Sequence, residues 1–220
     1  MSEYKRVSVI VEGWTEFYFI KHVLCPYCSE RGVYMVFRLV DKPGQRGGDV
    51  RFNRTKREII ATLKEKDKPI VCTFVDYYGI KEWPGLDEIP NNSTPEQIAN
   101  ILNARAKNAI ANEVPDMEQR YIPFLAVHEF ETLLFSDSEI LAKHLKINKA
   151  EIDLVLSECG SPECVNNGID TAPSKRIENW NRSYLKTQNG HKIAQEIGVS
   201  KMRKACPLFN DWLNQIGIKD

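Results

Sequence analysis

Carboxylates recur where apolar runs stop. Residues 9–16 read VIVEGWTE, an apolar run that ends at Glu12, turns at Gly13 and reaches Glu16 four residues after the first glutamate. The run IVCTFVD ends at Asp76, and YIPFLAVHEFE ends at His128, Glu129 and Glu131. Several carboxylates gathered at one edge repel one another unless a cation neutralises them. An all-oxygen set suits Mg2+ or Mn2+, which keep waters and share phosphate oxygens with a substrate. Glu12, Glu16, Asp76, and Glu129 or Glu131, are therefore the candidate metal ligands. Taken alone, Glu16 has a plainer reading, since a first-turn glutamate favours the positive end of a helix dipole by ~0.3–1 kcal/mol. Asp76 alone could be an ordinary loop aspartate. His128 has the pKa of a general base, yet a histidine ending a buried strand also serves as a hydrogen-bonded structural group.

For these groups to meet, the runs that carry them must be neighbouring strands. Residues 7–11, 70–75 and 121–127 are rich in β-branched or aromatic side chains and too short for helices, and 34–40 gives a weaker fourth strand signal. Helical spacing predicts helices over 15–25, with Thr15 as a cap, over 54–66, and over 94–108. Thr94-Pro95-Glu96-Gln97 opens the last of these with a capping box and proline at the first helical position. Such alternation implies βαβ units, hence an α/β fold with a Rossmann-like, parallel four-stranded sheet flanked by helices. In such sheets ligands bind beyond the carboxyl ends of the strands, where the acidic residues fall. Residues 1–135 form this core in our reading, and 136–220 a C-terminal helical extension packed on it. Short helices are predicted there over 138–145, 149–158, 174–180, 191–197 and 207–216.

Composition narrows the classes. A chain of 220 residues, 42% hydrophobic, can bury a sizeable core. Thirty basic residues balance thirty acidic ones, so there is no overall positive field of the kind a free-standing, tight nucleic-acid binder carries. A polyanion would meet a local patch or be delivered by another subunit. No apolar run approaches the ~20 residues of a membrane span, and MSEYKR does not read as a signal peptide, so a cytoplasmic location is expected, with six reduced cysteines. Cys25-Pro-Tyr-Cys28 lacks a nearby second pair for zinc and continues an apolar helix face, which favours a structural role. The glycine-rich segment 44–48 either carries Arg46 and Arg51 toward a phosphate backbone or is a plain surface loop. Lys175, Arg176, Arg182 and Lys186, interrupted by Trp180 and Tyr184, form the best basic patch. The aromatic loop YYGIKEWPGL could stack on unpaired bases, roof the core or meet a partner subunit.

Together, VEGWTE, the aspartate ending VCTFVD, HEFETLLFSD and TAPSKRI resemble a bacterial family of unknown function related to the TOPRIM domain, in particular that of overcoming-lysogenization-defect (OLD) nucleases. The likeness spans residues 7–212. It implies a TOPRIM-like core whose glutamate and Asp-x-Asp pair bind Mg2+ for phosphodiester chemistry. Glu12 matches the glutamate and Asp76 the first aspartate, while Tyr78 stands at the second, where a neutral phenol is a poor Mg2+ ligand. Glu16 matches the second glutamate of the OLD-like branch, and Lys175 its late lysine. The resemblance thus implies a metal-dependent nuclease acting on nucleic acid, DNA in the first instance, in phage defence beside a partner ATPase. The alternative is a non-catalytic regulatory subunit of an ATPase complex, its site eroded at Tyr78.

Overall fold

The computed structural model describes residues 5–40, 50–165 and 171–219. Four parallel strands form the central sheet in the order β2-β1-β4-β6: β1 Lys5–Val11, β2 Val33–Leu39, β4 Ile70–Asp76 and β6 Tyr121–Ala126. The α/β class and parallel sheet expected from the strand and helix periods are present. Strands β3 (Val50–Arg51) and β5 (Ile80–Glu82) add a separate parallel pair, too short to leave a period in the sequence.

Side chains alternate between the two faces as the two-residue period of a strand requires. Ile10, Val71, Val75, Tyr121 and Leu125 point into a layer closed by α3 (Phe52–Leu63) and α4 (Pro95–Ala111). Tyr121, fully buried there, shares a 3.1 Å hydrogen bond with Thr73. α4 starts at the capping box read from the sequence, with Thr94 Oγ1 accepting from the Gln97 N–H and Gln97 Oε1 from the Thr94 N–H.

Val7, Val9, Val11, Cys72, Phe74, Phe124 and Ala126 point the other way. Their layer holds α1 (Trp14–Phe19), a π-helical segment Ile20–Leu24 and α2 (Cys25–Ser29), with no break between them. The same core takes in α5 (Ser138–Leu145), α6 (Lys149–Cys159), α7 (Pro173–Trp180), α8 (His191–Ile197), α9 (Val199–Ala205) and α10 (Pro207–Gln215). Trp212 stacks on Phe124 at 5.0 Å between ring centroids, and Phe209 lies edge-on to Phe124 at 5.9 Å. The C-terminal helices therefore continue the core of the sheet. Cys25 and Cys28 are free thiols beside this layer, as their apolar spacing suggested. Among the described residues no helix is long and apolar enough to cross a membrane.

The strand order sets the address of a ligand. From β1 the chain moves to β2 on one side, then returns to β4 on the other, so the order reverses between β1 and β4. Such a switch point opens a crevice beyond the carboxyl ends of the two strands. Glu12 and Asp76 flank it.

Candidate metal centre

β1 delivers Glu12 one residue past its last ladder position, paired Val11 to Phe74 of β4. Gly13, extended at φ −146° and ψ −174°, is the N-cap of α1, two residues ahead of the expected Thr15, and supplies no capping side chain. Glu16 folds back onto that turn instead: a Cβ on Gly13 would stand 3.1 Å from Glu16 Oε2. Glu16 is thus buried beside Glu12. Asp76 closes β4, and the 3-10 turn Tyr77–Gly79 that follows presses on Glu12, whose Oε1 would lie 2.8 Å from a Cβ at Gly79. Glycine is required for that approach. Glu12 Oε2 and Asp76 Oδ1 are sealed from solvent with no hydrogen-bond partner.

The third strand end reaches the same edge through a strained turn. His128 adopts φ 87°, uncommon for a residue with a Cβ, and its carbonyl accepts the Tyr78 N–H at 3.2 Å. This bond ties the ends of β4 and β6 together. Glu129 then accepts from the Ser174 N–H and Oγ–H, each at 2.9 Å, at the first turn of α7. Glu131 accepts from Tyr184 Oη–H at 3.4 Å. The Lys186 ammonium lies between them, 3.1 Å from Glu129 and 3.4 Å from Glu131.

The electrostatics follow from five acidic groups facing one ammonium. Burial, with Glu12 nearby, pushes Glu16 up to about 7. Burial likewise brings Glu131 to about 7 against the pull of Lys186. Asp76 is raised well above the ordinary range by burial and by Glu16, Glu12 and Glu131. Glu12 is raised by burial, tempered by a hydrogen bond from the Asp76 backbone and by Lys186. Glu129 alone falls, since Lys186 and the Ser174 bonds outweigh its burial. Burial opposes the charge on Lys186, but Glu131, Glu129 and Asp76 overcome it and hold the ammonium protonated. Carboxylates so arranged retain protons near neutral pH unless a further cation replaces them.

Placement separates the residues singled out from the sequence. Glu12, Glu16, Asp76, Glu129 and Glu131 are brought to one edge. Lys175 is exposed, and its ammonium pairs with Glu178 at 2.7 Å. The ammonium at the carboxylates is that of Lys186, which the sequence grouped with the basic patch. It opens a π-helical turn, Lys186–Gly190, packed against α1, where a Cβ on Gly190 would meet Phe130 Cε1 at 2.9 Å. Ser174 and Tyr184, which hold Glu129 and Glu131, were not distinguished as site residues by any local pattern. His128 is driven down to about 4 by burial, against the opposing pull of Glu129, and is neutral at pH 7. Its ring lines a cleft of about 500 Å3 with Tyr77, Ile89 and Cys164, none of them a site carboxylate. Arg51 is exposed and pairs with Glu82 at 3.1 Å, and Arg176 Nε–H donates to the Thr171 carbonyl at 2.9 Å. Arg46 lies outside the described residues. Tyr78 is half-exposed at the site's rim.

Comparison with known families gives a match over residues 11–217 to DUF4276, described as a domain of unknown function. The chain belongs to this family. The matched span includes every residue of the acidic edge. Among solved structures, the chain is similar to the C-terminal region of the Xanthomonas campestris pv. campestris OLD protein, at 15% identity and a TM-score of 0.36, covering 96% of this chain and 97% of that one. No curated protein matches the chain.

The donors of this DUF4276 member suit a hard divalent cation, because all are carboxylate oxygens and two lack any partner. Among the described residues no three His, Cys, Asp or Glu side chains are placed so as to hold a metal ion together. Glu129 and Glu131 are already engaged by Ser174, Tyr184 and Lys186. Glu12 and Asp76, with Glu16 beside them, carry the carboxylate oxygens that Ser174, Tyr184 and Lys186 do not engage.

Proposed function

We propose that the chain is a Mg2+- or Mn2+-dependent phosphodiester hydrolase whose acidic edge acts on nucleic acid. One observation carries the reading: the unpartnered oxygens of Glu12 and Asp76 face the sheet's switch point, beside buried carboxylates that retain protons. Glu12, Asp76 and Glu16 would hold the ion, which supplies an acidified water and charge neutralisation at a phosphate. Lys186 keeps a positive charge at the same edge, suited to a phosphate oxygen as negative charge builds on it. Glu129 and Ser174 fix that ammonium by tying Lys186 to the first turn of α7. The likeness of VEGWTE, VCTFVD and HEFETLLFSD to TOPRIM and OLD-type sequences points the same way. The near-zero net charge is compatible with delivery of substrate by a partner ATPase, and the resemblance suggests a cytoplasmic phage-defence system as the setting. Lys175 and Arg176 remain candidates for contacting the nucleic-acid backbone outside the site.

A second reading, a non-catalytic subunit of an ATPase complex, is favoured by Tyr78, which stands where a second aspartate would complete the pair. The deciding experiment measures Mg2+- or Mn2+-dependent cleavage of plasmid, single-stranded DNA and RNA by wild type and Glu12→Ala, with and without the neighbouring gene product. Cleavage by wild type and its loss in Glu12→Ala is expected. A wild-type protein that binds the partner but cuts nothing would establish the non-catalytic reading.

A further inference from the structure

A surface helix normally turns charged residues to solvent. The stretch that leaves the acidic edge carries rings at that position instead, Trp14 exposed and Tyr18, His22 and His191 half-buried. Trp14, Tyr18 and His22 follow one another at spacings of four residues on one face of α1 and the π-helical segment after it. Trp14 lies 6.0 Å from Tyr18, and Tyr18 stacks on His22 at 5.9 Å and 15°. His191, first residue of α8, closes the strip at 5.5 Å from Tyr18 and 5.2 Å from His22. Trp14 is 45% exposed, although it begins only two residues after Glu12.

Apolar exposure elsewhere gathers at the same edge. Of the five large hydrophobic side chains exposed among the described residues, Trp14, Tyr78 and Leu185 each stand within two positions of Glu12, Asp76 or Lys186. Cations flank the strip: Lys21 is exposed with its ammonium 5.9 Å from the Phe17 ring, and exposed Lys192 follows His191. Flat rings beside ammonium groups fit a ligand that alternates π faces with phosphates. A duplex hides its base faces in its own stack, so among polynucleotides an unpaired strand is the form that presents π faces to the rings.

We infer that this strip, running from Trp14 through Tyr18 to His22 and His191, seats the unpaired bases of a single polynucleotide strand whose backbone reaches the acidic edge. The inference deepens the hydrolase reading and rests on it for the strand's destination. Its test needs no catalysis. Binding is measured in EDTA by fluorescence anisotropy with labelled oligothymidine and oligouridine of about 20 nucleotides, and with a blunt DNA duplex of equal length, using wild type, Trp14→Ala, Tyr18→Ala and the distant exposed control Leu154→Ala. Thermal melts check that each variant is folded.

The oligonucleotides should bind more tightly than the duplex and quench the emission of Trp14. Loss of either ring should weaken single-strand binding by roughly five- to a hundredfold while Leu154→Ala changes nothing. The relative affinities of the two oligonucleotides decide between DNA and RNA. Equal affinity for duplex and single strand, absence of binding, or unaltered binding by both ring variants overturns the strip. If wild type cleaves in Mg2+ while the ring variants bind and cleave as well as wild type, the strip fails and the hydrolase stands. Ring-dependent binding with no cleavage by any form leaves the strip and removes the hydrolase.

Discussion

Replacing Glu16 by glutamine tests whether the acidic edge is built for a divalent cation. The substitution keeps size and hydrogen-bonding shape and deletes one buried charge. Glu16 rises from an ordinary 4.5 to about 7 in the folded chain. At about 1.4 kcal/mol for each tenfold change in proton affinity, that difference amounts to about 3 kcal/mol at most, shared with its coupled neighbours Glu12 and Asp76. A carboxyl with a raised folded pKa binds its proton more tightly when folded. The stability it lends is complete below pH 4.5 and is lost as pH climbs toward 7 and beyond. Wild type in EDTA should therefore lose stability between about pH 5 and pH 8, whereas Glu16→Gln has no proton to lose and should fall less. The gap at pH 8 should be ~1–3 kcal/mol, a difference of roughly 3–10 °C in Tm for a chain of this size. Added Mg2+ should raise the Tm of wild type at pH 8 and raise that of Glu16→Gln much less. Parallel pH profiles for the two proteins, with equal responses to Mg2+, would refute both the desolvated carboxylate and the cation that answers it.

Two further outcomes follow from the same geometry. Lys186→Met should reduce metal-dependent cleavage by about a hundredfold or more, and Lys175→Met by far less, in side-by-side plasmid assays; equal losses would return the role to Lys175. Gly79→Ala sets a methyl group against Glu12 Oε1 and should weaken Mg2+ binding by roughly tenfold in a calorimetric titration, with the fold intact by circular dichroism; unchanged affinity would show that Glu12 is not a ligand.

The strand ends were legible because β1, β4 and β6 carry dense runs of β-branched and aromatic residues, and a carboxylate after such a run contrasts sharply with what precedes it. The capping box of α4 was equally plain, being a local hydrogen-bonding motif with fixed spacing. Lys186 was not legible as a site residue. It sits in LKTQNG, which has no apolar period, and it reaches Glu131 only through the tertiary packing of a π-helical turn on α1. Lys175 was the candidate because the resemblance to the OLD-like branch set that branch's late lysine in TAPSKRI, yet α7 turns Lys175 to solvent while the preceding Ser174 faces Glu129. The cap of α1 was misplaced by two residues because Thr15 has the right side chain for the task, whereas Gly13 takes the position without a capping side chain and Glu16 folds over it. β3 and β5 are two and three residues long, below any periodic signal.

The ammonium that answers Glu131 is attached 55 positions later in the chain. A ribosome adding about 5–20 residues each second needs on the order of 3–11 s to make that interval. Throughout it, the nascent sheet carries its acidic residues with no built-in counterion, and the partner of Glu129 and Glu131 has yet to be made. Any truncation or premature stop before Lys186 leaves the strands and their carboxylates but not the charge that accompanies them. The acidic edge thus gains its ammonium only after all four strands of the central sheet have been made.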